Sequence, residues 1–564
     1  MIKICDLSFT YPMADEPILK NINLEVKKGD FVAIVGNNGC GKSTLCKTLN
    51  GLIPRFITGK LEGTILIDGH NAIELDISDL AKKIGYVYQD FENQIVCPTV
   101  LEDAAFACMN FGLDDYEERA LKILKVCGLE NKKNDYIWQL SGGQTHLLAL
   151  AGATALSSDI LVLDEPIAQL DPKHARIIYD VLKDLNENYG KTIIVIEHHS
   201  EYIAKYCKNV ILMKDGSIKW QLPVREALSR VEELQECSIF PPQVTIAAAK
   251  LKEMNIFDSS ISLPTTIEEG RQLFKSFKYF TDGSKNIFKH PKDEKVIEFK
   301  EISLKYKSVK GEPYQLMDHF SLDIYKGDKI ALIGSNGAGK SSLMKLMVGL
   351  LKPNEGQVYI CNKNTRKYSA EQLSEHISLV YQNPEDMFIK DSIRADIEFA
   401  MKERKVENYK VKADELIELF DLKDIQNRDG RLMSGGQMRR ASLAIGVALN
   451  PSILLLDEPT ANLDIATRKD IMKTLNVLKD VVETVIIATH DMELVCDWAQ
   501  RIIVLNAGTI VKDGTRNEVF EDKFVRNNVG IEPPDIYRMA EALNSRCYSL
   551  EEFVTMYANH REMI

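Results

Sequence analysis

No segment of this 564-residue chain is apolar for the ~20 residues that a membrane-spanning helix needs. The longest apolar stretch, around Leu147 to Leu156, is broken by Ser157, Ser158 and Asp159, and Met1 to Asp6 lacks the charged and apolar regions of a signal peptide. No part of the chain is therefore expected to span a bilayer. Cysteine occurs 11 times without a single C-x-x-C pair. That spacing excludes the usual zinc and disulfide frameworks, and leads us to expect reduced thiols in a cytosolic protein. Positive charge is also short: 70 Lys and Arg face 82 Asp and Glu, a net charge of −12. This balance opposes association with a phosphate backbone, so no nucleic-acid partner is expected. What remains is an ordinary globular composition, 45% hydrophobic and 27% charged, in a chain long enough for several domains of ~150 residues.

The organisation is a duplication. Lys42 and Lys340 lie in matching Gly-rich segments, and Gln89 with Gln382, Ser141 with Ser434, Glu165 with Glu458, His198 with His490 and Pro241 with Pro533 follow at nearly constant separation. Each half opens on an extended segment (Ile2 to Tyr11; Val296 to Tyr306), followed by a buried-looking strand ending in Gly36 or Gly334 and a helix starting at Lys42 or Lys340. Continuous apolar runs at Ile160 to Leu163, Ile453 to Leu456, Thr192 to Ile196 and Thr484 to Ala488 suit parallel strands covered on both faces. Polar helical patterns fill Leu101 to Gln139 and Ser392 to Arg431. The expectation is an α/β fold twice over, with a first domain at 1–250, a linker at 251–295 and a second domain at 296–564.

Gly36-Asn37-Asn38-Gly39-Cys40-Gly41-Lys42-Ser43 and Gly334-Ser335-Asn336-Gly337-Ala338-Gly339-Lys340-Ser341 fit a phosphate-binding loop. Glycine lets the backbone wrap an anion, the lysines neutralise the β/γ-phosphates of a nucleotide, and Ser43 and Ser341 suit Mg²⁺. Asp164-Glu165 and Asp457-Glu458 each end an apolar strand, at the sheet edge where open α/β folds bind ligands. One carboxylate of each pair is a candidate Mg²⁺ ligand and the other a candidate base for the attacking water. Ser141-Gly142-Gly143-Gln144 and Ser434-Gly435-Gly436-Gln437 stand before helices and form further candidate anion sites. Spacing leaves open which half each of them serves. Cys40 has two readings: a thiol of lowered pKa beside Lys42, or a small residue packed under the loop.

Together with Asp-Glu-Pro after each strand and a histidine ending the next, these motifs resemble the ATP-binding cassette (ABC) family over nearly the whole chain. The resemblance implies two tandem cassettes, each with a RecA-like sheet core, an antiparallel β subdomain and a helical subdomain, and it implies ATP and Mg²⁺ as cofactors. It also implies an intramolecular pseudo-dimer, with each ATP held by the loop of one half and the signature of the other. Carried over, site one takes Gly36 to Thr44, Gln89, Asp164, Glu165 and His198 with Ser434 to Gln437. Site two takes Gly334 to Ser342, Gln382, Asp457, Glu458 and His490 with Ser141 to Gln144. Glu165, Glu458, His198, His490, Gln89 and Gln382 are the catalytic candidates, and the two glutamines join the serines and aspartates as metal candidates. Tyr11 and Tyr306 match the adenine-stacking aromatic. The chain departs from the family pattern at Ile167, Thr145-His146, Gln169 and Met433, none of which touches phosphate or water, so two competent and somewhat unequal sites are expected.

Tyr88-Gln89-Asp90-Phe91-Glu92-Asn93-Gln94, Tyr381-Gln382-Asn383-Pro384-Glu385-Asp386, Ile196-Glu197-His198-His199 and the echo of Pro241-Pro242 in Pro533-Pro534 are similar to the ATPases of energy-coupling factor transporters. That resemblance implies import of a vitamin or metal ion at the cytoplasmic face of a membrane. The implied partners are an integral membrane scaffold (T component) and a substrate-binding S component, which selects the substrate. Phe91 to Pro98 and Pro384 to Ile389 are the candidate docking segments, with burial against the helical subdomain as the competing reading. A fused sugar-importer ATPase and a twin-cassette ATPase acting on ribosomes are the alternatives. The intact second phosphate loop speaks against the first, and the short linker and acidic charge against the second.

Overall fold

The computed structural model describes all residues except 168–169, 259, 276–292, 307–313, 462, 464 and 563–564, so Gln169 and part of the expected linker lie outside the described residues. The chain divides into two units, Met1–Phe280 with Asp535–Ile564, and Thr281–Pro534.

In the first unit a six-stranded sheet runs in the order Ser217–Pro223, Asn209–Lys214, Phe31–Gly36, Thr192–Ile196, Ile160–Asp164, Ile84–Val87. All neighbours are parallel except the outermost pair, Ser217–Pro223 with Asn209–Lys214. Both faces are buried, so successive side chains alternate between two cores rather than between core and water. Phe31, Ala33, Val35, Leu161 and Leu163 join the helices Val100–Asn110, Gly142–Thr154 and Pro172–Glu187. Val32, Ile34, Ile160 and Val162 face Ile2, Leu7, Leu19 and Ile65 of a second, antiparallel sheet. Each such aliphatic side chain contributes about 1.5–3 kcal/mol by leaving water, which is why a strand with no polar face is stable only in this layer.

The second unit repeats the plan. Its six-stranded sheet runs Ile377–Val380, Ile453–Asp457, Thr484–Ala488, Lys329–Gly334, Arg501–Asn506, Thr509–Gly514, parallel except for the last pair. Lys295–Tyr306 and Tyr314–Tyr325 belong to its antiparallel sheet, and Ile393–Glu403 and Tyr409–Leu419 to its helical part. Each of the four expected apolar runs is a strand, and the two carrying Asp164 and Asp457 extend to include those carboxylates.

The chain ends depart from the expected boundaries. Helix Gln243–Glu253 continues past 250, Leu251 is fully buried, and Ile267–Leu273 is helical within the stretch expected to link the domains. These two helices form a core with Asp535–Ala542 and Leu550–Glu562 from the far end of the chain: Val244, Leu251 and Phe274 pack with Ile536, Met539, Phe553 and Tyr557. The ring centroids of Phe274 and Phe553 lie 5.1 Å apart at 83°, the favourable edge-to-face arrangement. Sequence distance hides this pairing, because each helix alone lacks the apolar area to hold its place.

Phe553→Ala and Phe274→Ala should each cost about 3–5 kcal/mol. Both should lower the melting of the first unit, followed by hydrogen exchange at Gln243–Glu253, and leave exchange in Thr484–Ala488 unchanged. Protection of Gln243–Glu253 that survives Phe553→Ala would contradict this shared core.

Candidate active site

Each phosphate loop begins where a buried strand runs out. At Gly36 a Cβ would lie 2.2 Å from the Met213 carbonyl oxygen, and at Gly334 the same distance from that of Leu505, so only glycine lets the chain leave the sheet there. The loop then closes on its lysine. Lys42 Nζ donates to the carbonyls of Gly36 (2.8 Å) and Asn37 (3.0 Å), and Lys340 Nζ to those of Gly334 (2.6 Å) and Ser335 (3.2 Å). Both ammonium groups are buried, held by main-chain oxygen at the N-termini of Lys42–Leu49 and Lys340–Met347. Two positive features, an ammonium and a helix end, thus converge on one loop, which is an anion site. Tyr11 and Tyr306 reach the same loops through their hydroxyls, 3.1 Å from Thr44 Oγ1 and 2.9 Å from Ser342 Oγ.

The strand-end carboxylates stand beside these loops. Ser43 hydrogen-bonds Asp164, and Ser341 Oγ donates to Asp457 Oδ2 at 3.2 Å. Burial pushes both aspartates up from the usual carboxylate range. Asp164 Oδ1 is buried with no hydrogen-bond partner. A serine hydroxyl and a carboxylate with an unpartnered oxygen are hard oxygen donors that fit Mg²⁺, which takes one or two carboxylates and completes its shell with water and phosphate.

Glu165 and Glu458 occupy the left-handed region, with φ of 51° and 45°. The chain makes one more sheet hydrogen bond, Glu165 N–H to Ile196 O (3.2 Å) or Glu458 N–H to Ala488 O (2.9 Å), before turning away. A non-glycine residue in this conformation is disfavoured by about 1–3 kcal/mol, and it recurs in both halves at the same residue. In the first unit Glu165 receives Gln89 Nε2 (3.1 Å), and His198 Nε2 lies 3.1 Å from its other oxygen. In the second, Glu458 receives the main-chain N–H of His490 (3.3 Å), and His490 Nε2 lies 3.2 Å from Lys340 Nζ. Burial raises Glu458 to about 7. In this half Gln382 is held by its main-chain carbonyl, which accepts from Arg439 Nη2 (2.7 Å), while Arg439 Nη1 donates to Tyr381 O (2.9 Å).

Ser141 and Ser434 cap Gly142–Thr154 and Gly435–Val447 in capping boxes whose partners are Gln144 and Gln437. Ser-x-x-Gln before a helix is legible as a capping box, a signal the anion-site reading passed over. A Cβ at Gly143 would fall 2.4 Å from the His174 ring and one at Gly436 2.4 Å from the Thr467 methyl, so the second glycine serves packing.

The reactive reading of Cys40 is corrected. Its thiol is buried in the core under the loop, and burial raises its pKa despite Lys42. Met387 and Phe388 also lean to the core, Phe388 over Gly430, whereas Val96 and Ile389 are 60% and 64% exposed. Sequence reading missed the groups that brace this region: buried Asp103 and Asp396, Arg439 and Glu197. Asp103 Oδ1 accepts the N–H groups of Val96 (2.9 Å) and Cys97 (3.0 Å), and Asp396 Oδ1 those of Ile389 and Lys390 (both 2.8 Å).

The family model for ABC transporters matches residues 19–168 and 317–461. A putative ABC transporter ATP-binding protein of Methanosarcina mazei is 32% identical across 99% of this chain and 96% of its own length. One from Caldanaerobacter subterraneus is 32% identical across 98% of each chain, and one from Clostridium perfringens 31% identical across 96% and 95%. Among solved structures, cbiO1 from Clostridium perfringens, described as part of the ABC transporter complex cbiONQ, is 31% identical, covering 45% of this chain and 98% of that one at a TM-score of 0.39. A dimeric ATP-binding cassette bound to ADP and Pi is 35% identical, covering 40% and 99% at a TM-score of 0.36. With two phosphate loops, each beside a Ser–Asp pair and a strand-end glutamate, this chain belongs to the ABC transporter family as a tandem cassette that binds ATP with Mg²⁺ and hydrolyses it.

Proposed function

We propose that this chain is the ATP-hydrolysing subunit of an energy-coupling factor importer, peripheral to the cytoplasmic face of a membrane, driving uptake of a vitamin or metal ion through a T component and an S component. One observation carries the reading. No helix among the described residues is long and apolar enough to cross a membrane, yet each half exposes an aliphatic side chain, Val96 or Ile389, at the same place after its glutamine. Each of these residues is clamped through its main chain by a buried aspartate, so the exposed group sits on rigid backbone, as a docking surface for a partner helix requires.

The chemistry assigned to the site follows from its side chains. Lys42 and Lys340 bind the β/γ-phosphates, with the loop N–H groups around them. Mg²⁺, when bound to the Ser43–Asp164 and Ser341–Asp457 pairs, neutralises phosphate charge. Glu165 and Glu458 orient water for attack on the γ-phosphorus and accept its proton as the bond to the β-phosphate oxygen breaks. His198 and His490, next to those carboxylates, hold the γ-phosphate, and Gln89 and Gln382 complete each site. The signature segments Ser141 to Gln144 and Ser434 to Gln437 contribute to nucleotide binding in the crossed pairing that the resemblance implies.

Glu165→Gln and Glu458→Gln should each bind ATP at near-parental affinity while turnover falls by ~10²-fold or more, the usual contribution of a general base. Lys42→Ala or Lys340→Ala should weaken nucleotide binding itself. Parental turnover in either Gln variant would remove that glutamate from the catalytic role. The importer assignment is tested by Val96→Glu with Ile389→Glu. ATPase activity and melting temperature of the isolated chain should stay near parental, while co-purification with membrane partners and vitamin or metal uptake are lost. Normal uptake in the double variant would rule out docking at these residues.

A further inference from the structure

Glu197 directly follows the strand Thr192–Ile196 and precedes His198. It is 2% exposed, where an unpaired carboxylate is strongly unfavourable. Neighbouring donors are turned on it. Its Oε1 accepts the N–H groups of His198 (2.8 Å) and His199 (2.9 Å) and lies 2.7 Å from His199 Nδ1, while Oε2 accepts the Tyr179 hydroxyl at 2.6 Å. Burial works to raise its pKa, but the His199 charge and these hydrogen bonds outweigh burial and hold it below the ordinary glutamate value.

The corresponding residue in the second half is Thr489, also fully buried. Its hydroxyl accepts the Asp491 N–H at 3.0 Å and hydrogen-bonds the Glu458 carboxylate. The His490 N–H then goes to Glu458 at 3.3 Å. The same main-chain donor, that of the histidine after the strand, is therefore used differently in the two halves. In the second half it tethers the strand-end glutamate to the backbone, and that side chain is 12% exposed. In the first half Glu197 takes the donor, and Glu165, 26% exposed, is held only by the side chains of Gln89 and His198 among the described residues.

We infer that Glu197 is a positioning residue for ATP hydrolysis in the first half: it pins the main chain at His198 and His199 so that the His198 imidazole faces Glu165, and it keeps that main chain from capturing Glu165. The inference rests on the roles proposed above for Glu165 and His198. A purely structural role is the rival, since Glu197 also anchors the helix Pro172–Glu187 through Tyr179, whose ring lies 4.9 Å from Tyr202 and 5.1 Å from Tyr206.

Three variants of the full chain separate these readings. Glu197→Met fills the volume without an acceptor, Glu197→Gln keeps an acceptor oxygen for the main chain, and His198→Ala removes the group through which Glu197 acts. Glu197→Met should lower kcat to about the His198→Ala level, with KM for ATP within about twofold of parental. Glu197→Gln should recover most of the loss. The variant carrying both Glu197→Met and His198→Ala should be no slower than His198→Ala alone, because residues acting as one unit are non-additive. If Glu197→Met loses its cooperative melt, Glu197→Thr, which places the second half's residue here, carries the same expectation. Parental kcat in the acceptor-free variant, or a double variant slowed by the product of the two single effects, would overturn the inference. Parental kcat in His198→Ala would overturn the site assignment along with it.

Discussion

A carboxylate is drawn largely out of water at the end of each of the strands Ile160–Asp164 and Ile453–Asp457, with a second carboxylate directly after it, and the surroundings of both sites answer that demand. Asp164 and Asp457 are raised by burial and steadied by the serine that follows the phosphate-loop lysine. The next residue, Glu165 or Glu458, makes one more sheet hydrogen bond and then leaves the strand. A left-handed turn at Glu165 and Glu458 redirects it, at a cost of about 1–3 kcal/mol that the flanking sheet hydrogen bonds hold in place. The nearby lysines supply the positive charge, and their own burial is compensated by loop carbonyls.

The same demand is met by different wiring in the two halves. In the second, the buried guanidinium of Arg439 reads two consecutive carbonyls, those of Tyr381 and Gln382, as only a planar fork can. Burial lowers its pKa to about 10, which leaves it charged at neutral pH. In the first, the matching residue is His146, whose pKa burial lowers to about 4, so it is neutral and packs on the Phe91 ring instead. A cation braces one glutamine segment and an aromatic contact the other. With Glu197 set against Thr489, this makes the halves chemically unequal inside nearly equal folds.

Much of this frame was legible before any coordinates. The strands at Phe31–Gly36 and Thr192–Ile196 were readable because a doubly covered strand has no polar position to blur its limits, and the phosphate loops because their residue types serve one geometry. The braces were not legible. Glu197 looks like a polar residue at a strand end, and only three-dimensional contact with Tyr179 and His199 reveals a buried anion. Of the two readings of Cys40 the packed one holds, for a related reason: a positive neighbour lowers a thiol pKa, but burial opposes it and prevails. The return of Asp535–Ala542 and Leu550–Glu562 to the first unit was hidden because it depends on the pairing of helices from segments far apart in the chain.

The segment after Gln89 shows how these local solutions join. Gln89 contacts Glu165 at one end, and Val96 stands exposed at the other. Between them Gln94 donates to the carbonyl of Ala149 in the helix Gly142–Thr154, and Asp103, in the first turns of Val100–Asn110, holds the N–H groups of Val96 and Cys97. Asp103 is buried, and leaving those N–H groups unpaired would cost about 1–3 kcal/mol. Displacing the exposed end without displacing the helix therefore carries that penalty, whereas moving both together carries none. Hydrogen bonds thus tie the main chain at Val96 to the helix Val100–Asn110 and Gln94 to the helix Gly142–Thr154, in the same segment whose Gln89 meets Glu165.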